Sequence, residues 1–188
     1  MTTTTARPFL VHGAQLRRQV GTRWHEVRHG IIEDLACSGS AVPDGAEVEA
    51  DVVLESVVGG VAVAGTVRAT WVGTCRRCLE PTTDTLVVPV REHFTEGGDG
   101  EETYPLHDGE VDLEPMVRDA VLLELPQAPL CRPECLGLCP WCGVNRNEES
   151  CTCQPPPQDR WAALDVLKGS AGSEGSADPA APEGTGHR

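Results

Sequence analysis

Six of the nine cysteines of this chain lie in one run, Cys131 to Cys153, which reads C-R-P-E-C-L-G-L-C-P-W-C-G-V-N-R-N-E-E-S-C-T-C. Within it, Cys139-Pro-Trp-Cys142-Gly has the form of a metal knuckle. Two thiols sit two residues apart, and the bracketing Pro and Gly favour a turn that aims backbone amides at both sulfurs. Cys151-Thr-Cys153 follows after an eight-residue gap. Four sulfurs from two such turns can surround a tetrahedral zinc ion at about 2.3 Å each. Upstream, Cys75-Arg-Arg-Cys78 is a second pair of the knuckle spacing. The chemistry these residues point to is metal binding of the structural kind.

The cysteines divide into two expected zinc sites. Cys139, Cys142, Cys151 and Cys153 close the first, because a knuckle and a C-x-C turn can meet locally. Cys75, Cys78, Cys131 and Cys135 form the second, tying a turn between strands to the segment after a long helix. Cys37 is left as an ordinary thiol. The alternative is one zinc in the 131–153 segment, with Cys131 and Cys135 as small apolar fillers and Cys75 and Cys78 free of metal. No further feature favours an iron–sulfur cluster over zinc.

Catalysis is tested against this and not expected. A catalytic zinc keeps an open position, usually among His or carboxylate ligands, whereas these ligands are all sulfur. None of the six histidines lies in the Cys75–Cys78 or Cys131–Cys153 segments, and there is no nucleophile elbow, Walker loop or dinucleotide fingerprint. The enzyme-like rival is thiol–disulfide exchange at Cys75-Arg76-Arg77-Cys78, whose arginines would favour a thiolate. The same arginines would screen a negatively charged zinc–thiolate centre. A thioredoxin-type pair also opens a helix, while this one sits between strands. A disulfide scaffold is disfavoured by the odd cysteine count. No apolar run follows Met1 and none approaches a transmembrane length, so a cytoplasmic chain with reduced thiols, no membrane partner and no small-molecule substrate is expected.

Charge bounds the partner. The formal net charge is -14, with 29 acidic residues against 15 basic ones. Each four-thiolate zinc centre would add about two more negative charges. Attraction to nucleic acid rests on counterion release by Lys and Arg, for which the chain as a whole is badly suited. Between Arg7 and His29, however, five arginines and three histidines face only Glu26. Arg17, Arg18, Arg23 and Arg28 are the candidate contacts to RNA or an acidic partner; the plainer reading, which we prefer, folds this segment back on an acidic body. A zinc-ribbon nucleic-acid binder is the corresponding alternative class. Trp141 is expected to cover its metal site from water, and Trp24, Trp71 and Trp161 to pack between elements.

The elements that must position these groups are legible in part. Phe9–Gly13 and Arg23–Val27 read as short strands. Glu47–Val58 alternates acidic and apolar residues as a half-buried strand. Gly59-Gly60 is a hairpin signal, and Val61–Thr74 returns as a second strand with Gly65 a possible bulge. Cys75 to Pro81 forms the next turn, and Thr85–Phe94 the third strand. Asp112 is expected to cap a helix whose apolar face is Leu113, Met116, Val117, Ala120 and Val121, with Pro115 in its first turn and Leu125-Pro126 at its end. After Pro155-Pro156-Pro157, Asp159 can cap a last helix through Lys168. The fold class is therefore α+β: an antiparallel β meander with one long helix and a C-terminal cysteine-rich, zinc-bound segment (131–153), one domain over residues 7–168. Residues 1–6 read as a flexible N-terminus and 169–188 as a disordered tail.

The order of these features resembles the YceD family. The match is a β meander, a C-x-x-C pair after its second long strand, a helix ending in Leu-Pro, and the C-L-G-L-C-P-W-C-G-V-N-R-N segment. The Cys-Thr-Cys pair and a terminal Arg-Trp…Leu…Leu helix complete it. The resemblance implies a noncatalytic bacterial protein of ribosome biogenesis that supports accumulation of large-subunit ribosomal RNA. Its partner would be that RNA, or a ribosome-assembly protein with a basic surface.

Overall fold

The computed structural model describes residues 7–98 and 102–154. The expected flexible N-terminus, the terminal helix from Asp159 to Lys168 with Trp161, and the tail at 169–188 lie outside the described residues. The chain divides into two compact units, Met1–Cys151 and Thr152–Arg188, and the architecture below is that of the first.

Among the described residues, eight strands, one α-helix and a short 3-10 turn (Leu16–Arg18) make up the α+β fold: β1 (Leu10–His12), β2 (Arg23–Ile31), β3 (Ser40–Ala41), β4 (Glu47–Val57), β5 (Gly60–Thr74), β6 (Pro81–Thr95), β7 (Tyr104–Pro105), β8 (Glu110–Asp112) and α1 (Glu114–Glu124). A six-stranded sheet runs in the order β2-β4-β5-β6-β7, with β3 paired to β5; β1 and β8 make a separate two-stranded sheet. Every pair is antiparallel except β6 with β7. The meander expected from alternation is the body of the larger sheet.

Alternation decides which face is buried. On β4, Val48, Ala50, Val52 and Leu54 point inward while the acidic residues between them face out. On β5, Val61, Val63, Val67, Ala69 and Trp71 do the same. Against this face lie Phe9, Val11 and Leu16 from the N-terminal segment, and Leu113, Met116, Val117 and Val121 from the helix face. Each such side chain contributes roughly 1.5–3 kcal/mol on full burial. Trp24 packs half-buried at the margin.

Several boundaries differ from the sequence reading. The β4–β5 turn is Val58–Gly59, since Val57 pairs with Gly60; only Gly59, at φ 87°, needs the left-handed region. Gly65 is no bulge. The register Val52–Gly65–Val90 is unbroken, and a Cβ there would strike the Asp51 backbone, so the glycine allows close strand approach. β2 continues to Ile31, and β6 begins at Pro81 because β5 stays paired through Thr74. Asp112 is the last residue of β8 rather than the N-cap. Leu113 holds the cap position, and the Asp112 carboxylate accepts the Glu114 N–H at 3.1 Å from one residue further out. The helix stops where Leu125, preceding Pro126, turns to ψ 125°. No helix among the described residues is long and apolar enough to cross a membrane.

Two features of this frame deliver the cysteines. The β5–β6 hairpin projects Cys75 to Cys78 at its turn. Beyond α1 the chain runs back along that hairpin: Ser40 Oγ donates to the Pro126 carbonyl at 2.9 Å, and the Arg76 N–H to the Pro129 carbonyl at 2.9 Å. That path carries Cys131 to the turn.

Candidate metal centres

The two C-x-x-C turns are built alike. In the first, the Cys75 N–H donates to the Glu80 carbonyl at 2.8 Å and the Leu79 N–H to the Cys75 carbonyl at 2.9 Å. In the second, the Cys139 N–H donates to the Val144 carbonyl at 2.8 Å and the Gly143 N–H to the Cys139 carbonyl at 2.9 Å. The offsets are identical. Each turn passes through the left-handed region at the residue after its second cysteine, Leu79 at φ 61° and Gly143 at φ 74°. This conformation turns amides toward the leading sulfur. The Cys78 N–H draws the Cys75 thiol down to about 6, and the Cys142 and then the Trp141 N–H do the same for Cys139. Both sulfurs are thus poised as thiolates near neutral pH.

The first cluster gathers Cys75, Cys78, Cys131 and Cys135, whose sulfurs all lie within 4.8 Å of one another. The Cys75–Cys135 separation is 3.8 Å and the Cys78–Cys131 separation 3.6 Å. A tetrahedron with arms of about 2.3 Å has edges of about 3.8 Å. A disulfide would require about 2.05 Å, and none joins these four cysteines. Cys75, Cys78 and Cys135 are buried with Leu130 in a small cluster apart from the main core. Cys131 is exposed as a residue, with its sulfur turned in; burial, then the Cys78 and Cys135 sulfurs, push its thiol up to about 12. Four crowded sulfurs resist complete ionisation without a cation, and a divalent ion removes that resistance. The donor set fits a thiophilic ion such as zinc.

Arg77 staples the limbs of this cluster. Its guanidinium donates to the Pro133 carbonyl at 3.1 Å and the Cys135 carbonyl at 2.9 Å, while its own carbonyl accepts the Leu138 N–H at 2.9 Å. Gly137, at φ 73°, lies close against that carbonyl. An arginine read from sequence as a screen for thiolates here positions backbone.

In the second cluster the sulfurs of Cys139, Cys142 and Cys151 also lie within 4.8 Å of one another. A short hairpin closed by the Leu138–Asn145 bridge presents the first two. Cys139 is buried, Cys142 exposed and Cys151 half-buried. Cys153 is in the second unit, two residues past Cys151. Trp141 is 50% exposed, at odds with its expected use as a cover over the metal site. No histidine belongs to either cluster. Cys37 stands apart, its sulfur 3.5 Å from Ser40 Oγ and 3.6 Å from the Pro126 carbonyl.

Sequence reasoning passed over Asn147. Its amide nitrogen donates to the Cys135 sulfur at 3.3 Å, and its oxygen accepts the Leu136 N–H at 2.8 Å. Only the N-R-N spacing beside a knuckle could have signalled it.

The arginines fall into two groups. Arg7, Arg17, Arg23 and Arg28 pair with Asp112, Glu96, Glu55 and Glu26 at 2.6 to 2.9 Å. Such exposed pairs add little stability, but they neutralise the N-terminal segment against acidic neighbours. Arg18 has no carboxylate partner among the described residues, and neither do Arg76, Arg132 and Arg146 of the cysteine turns.

Fold and site together define an α+β protein whose sheet turn and trailing segment converge on cysteine clusters able to hold metal. The family described as "Large ribosomal RNA subunit accumulation protein YceD" matches residues 63–168, which contain both clusters, and the chain belongs to that family. An uncharacterised protein of Mycobacterium tuberculosis is 37% identical over 173 residues, covering 87% of this chain and 83% of its own. A Zea mays protein named "Large ribosomal RNA subunit accumulation protein YCED homolog 1, chloroplastic" is 43% identical over 53 residues, 28% of this chain and 18% of its own. The Arabidopsis thaliana protein of the same name is 27% identical over 151 residues, 63% and 47% of the two chains. No solved structure matches the chain.

Proposed function

We propose that this chain is a noncatalytic, cytoplasmic bacterial factor of ribosome biogenesis that binds two zinc ions and supports accumulation of large-subunit ribosomal RNA. The family description and the names of the plant relatives support the RNA role. The observation that carries the zinc role is the sulfur geometry: in the first cluster separations of 3.6 and 3.8 Å match the edges of a zinc tetrahedron, and in the second the sulfurs gather within 4.8 Å. Cys75, Cys78, Cys131 and Cys135 would hold one ion. Cys139, Cys142, Cys151 and Cys153 would hold the other, because two consecutive Cα–Cα steps keep Cys153 within about 7.6 Å of Cys151. Zinc supplies closure here, fixing the β5–β6 turn to the chain that follows α1.

Thiol–disulfide exchange is the weaker reading. Cys75 is 0% exposed and Cys78 3% exposed, so neither offers its sulfur to a substrate disulfide. Contact with ribosomal RNA, or with a basic assembly protein, would use a surface rather than a pocket. Of the four arginines predicted for contact, Arg18 is the one with no carboxylate partner among the described residues, and Arg76, Arg132 and Arg146 of the cysteine turns share that state.

Native mass spectrometry of protein purified reduced and without added metal, with a thiol count on the same sample, tests the zinc reading. Two zincs and one reactive thiol, Cys37, are expected. An absence of metal, or free reactivity at Cys75 and Cys78, would overturn it. Direct RNA contact is tested by salt: affinity should fall steeply as salt rises, and flat or absent binding assigns the contact to a protein partner.

A further inference from the structure

We infer that Asn147 is a positioning residue shared by the two metal centres. It donates to the Cys135 sulfur of the first from a place that the second holds fixed, so the first centre binds metal more tightly once the second is filled. This rests on reading both clusters as metal centres.

The amide of Asn147 has one orientation that satisfies its neighbours. Its oxygen accepts the Leu136 N–H at 2.8 Å, which leaves its nitrogen facing the Cys135 sulfur at 3.3 Å and Asn145 Oδ1 at 2.8 Å. Reversed, it would set an acceptor against a thiolate and a donor against a donor. An N–H given to a thiolate stabilises the ionised, metal-binding form of that sulfur. Outer-shell partners of this kind typically change metal affinity by about 10–100-fold. The oxygen meanwhile fixes the backbone next to the ligand.

What holds Asn147 in place belongs to the other centre. Asn145 Oδ1 accepts from the Asn147 N–H at 3.1 Å as well as from its side chain. Asn145 is itself bridged to Leu138, and the Arg146 N–H bonds the Gly137 carbonyl at 2.9 Å. Those bonds close the short hairpin whose tip carries Cys139 and Cys142. A hairpin of this size with an exposed tip buries too little to stay closed alone, so metal on Cys139 and Cys142 is its main closure. When that metal leaves, the Asn145–Asn147 pair loosens and Cys135 loses its donor. Linkage makes the effect reciprocal, since a filled first centre favours the closed hairpin.

Cobalt(II) titration of the full reduced chain tests this, with the thiolate-to-cobalt charge-transfer band and the bound-metal count as readouts. Asn147→Asp keeps the oxygen for Leu136 but replaces the nitrogen that donates to the Cys135 sulfur and to Asn145 Oδ1 with a carboxylate oxygen. It should lower first-centre affinity by about 10–100-fold and move the charge-transfer band to lower energy. Cys139→Ser/Cys142→Ser should bind one cobalt with the same loss and the same band shift, while the circular dichroism of the sheet is retained. A wild-type band and affinity at the first centre in either variant would overturn the coupling. If the unaltered chain shows no tetrahedral cobalt–thiolate spectrum, the metal reading itself fails, and that outcome is distinct from wild-type behaviour in the variants.

Discussion

Leu79 occupies, at φ 61°, the place in its cysteine turn that Gly143 fills at φ 74° in the other. The hydrogen bonds around the two residues are the same, so the turn sets the dihedral and not the residue. For an L-residue other than Asn or Asp this region costs roughly 1–2 kcal/mol, and glycine avoids most of it. Leu79 is 62% exposed and returns little packing for that cost. Leu79→Gly should therefore raise stability by about 0.5–1 kcal/mol, after allowing for the extra freedom of glycine in the unfolded chain. Denaturant unfolding in excess zinc checks it. A destabilised variant would mean that the leucine side chain has a packing role.

The two centres should contribute unequally to the fold. Cys78 and Cys131 are 53 residues apart in sequence and Cys75 and Cys135 60 apart, so metal there closes a long loop. Cys142 and Cys151 close one of about nine residues. Closure entropy grows by about 0.6 kcal/mol per doubling, so the first centre restrains the unfolded chain more by about 1.5 kcal/mol. Its three buried cysteines also form a small core with Leu130. In excess zinc, Cys78→Ser should lose one zinc and several kcal/mol of stability, whereas Cys142→Ser should lose one zinc and about 1.5–3 kcal/mol, the weakening of the first centre included. Thermal melts with metal analysis of each variant would show it; equal losses would refute the asymmetry.

Much of this was legible because spacing and alternation are local signals. Acidic–apolar alternation fixed the facing of Val48 to Leu54, and the 3.6-residue stripe marked Leu113, Met116, Val117 and Val121. The grouping of Cys75 and Cys78 with Cys131 and Cys135 could be proposed from what the local knuckle left over. Their proximity, however, is made by contacts such as Arg76 to Pro129 that no pattern announces. The two- and three-residue strands β3, β7 and β8 are too short to show a period. Arg23 lies directly opposite Glu55, but that neutralisation can be read only once the β2–β4 register is known. Leu79 carries no mark of a positive φ, and Asn147 looks like any loop amide until Cys135 is beside it.

Gly65 offers a sharper check on the sheet than any core deletion. It sits mid-strand between Val52 and Val90, and a Cβ there would meet the Asp51 carbonyl oxygen and the Val52 Cα rather than a movable side chain. The backbone of β4 must shift to admit even a methyl group. Gly65→Ala should cost about 1–3 kcal/mol despite the better strand propensity of alanine. A neutral or stabilising result in denaturant unfolding would show that a bulge, not close approach, is the reason for the glycine.

Tyr104 is the only tyrosine of the chain, so its ionisation can be followed without assignment. Its ring stacks on Phe94 with centroids 5.2 Å apart, and its hydroxyl donates to the Asp119 carboxylate at 2.8 Å. Burial, and then the Asp119 carboxylate, hold the phenol proton well above the ordinary range near 10. The folded chain therefore keeps a proton that the unfolded chain releases. The stabilisation is complete below about pH 10 and is lost as pH rises through the folded value. Tyrosinate absorbance should appear only with loss of circular dichroism at alkaline pH. Asp119→Asn keeps an acceptor but removes the charge, and should let the folded protein ionise closer to 10. Tyrosinate at pH 10 in fully folded, unaltered protein would show that Asp119 does not hold the hydroxyl.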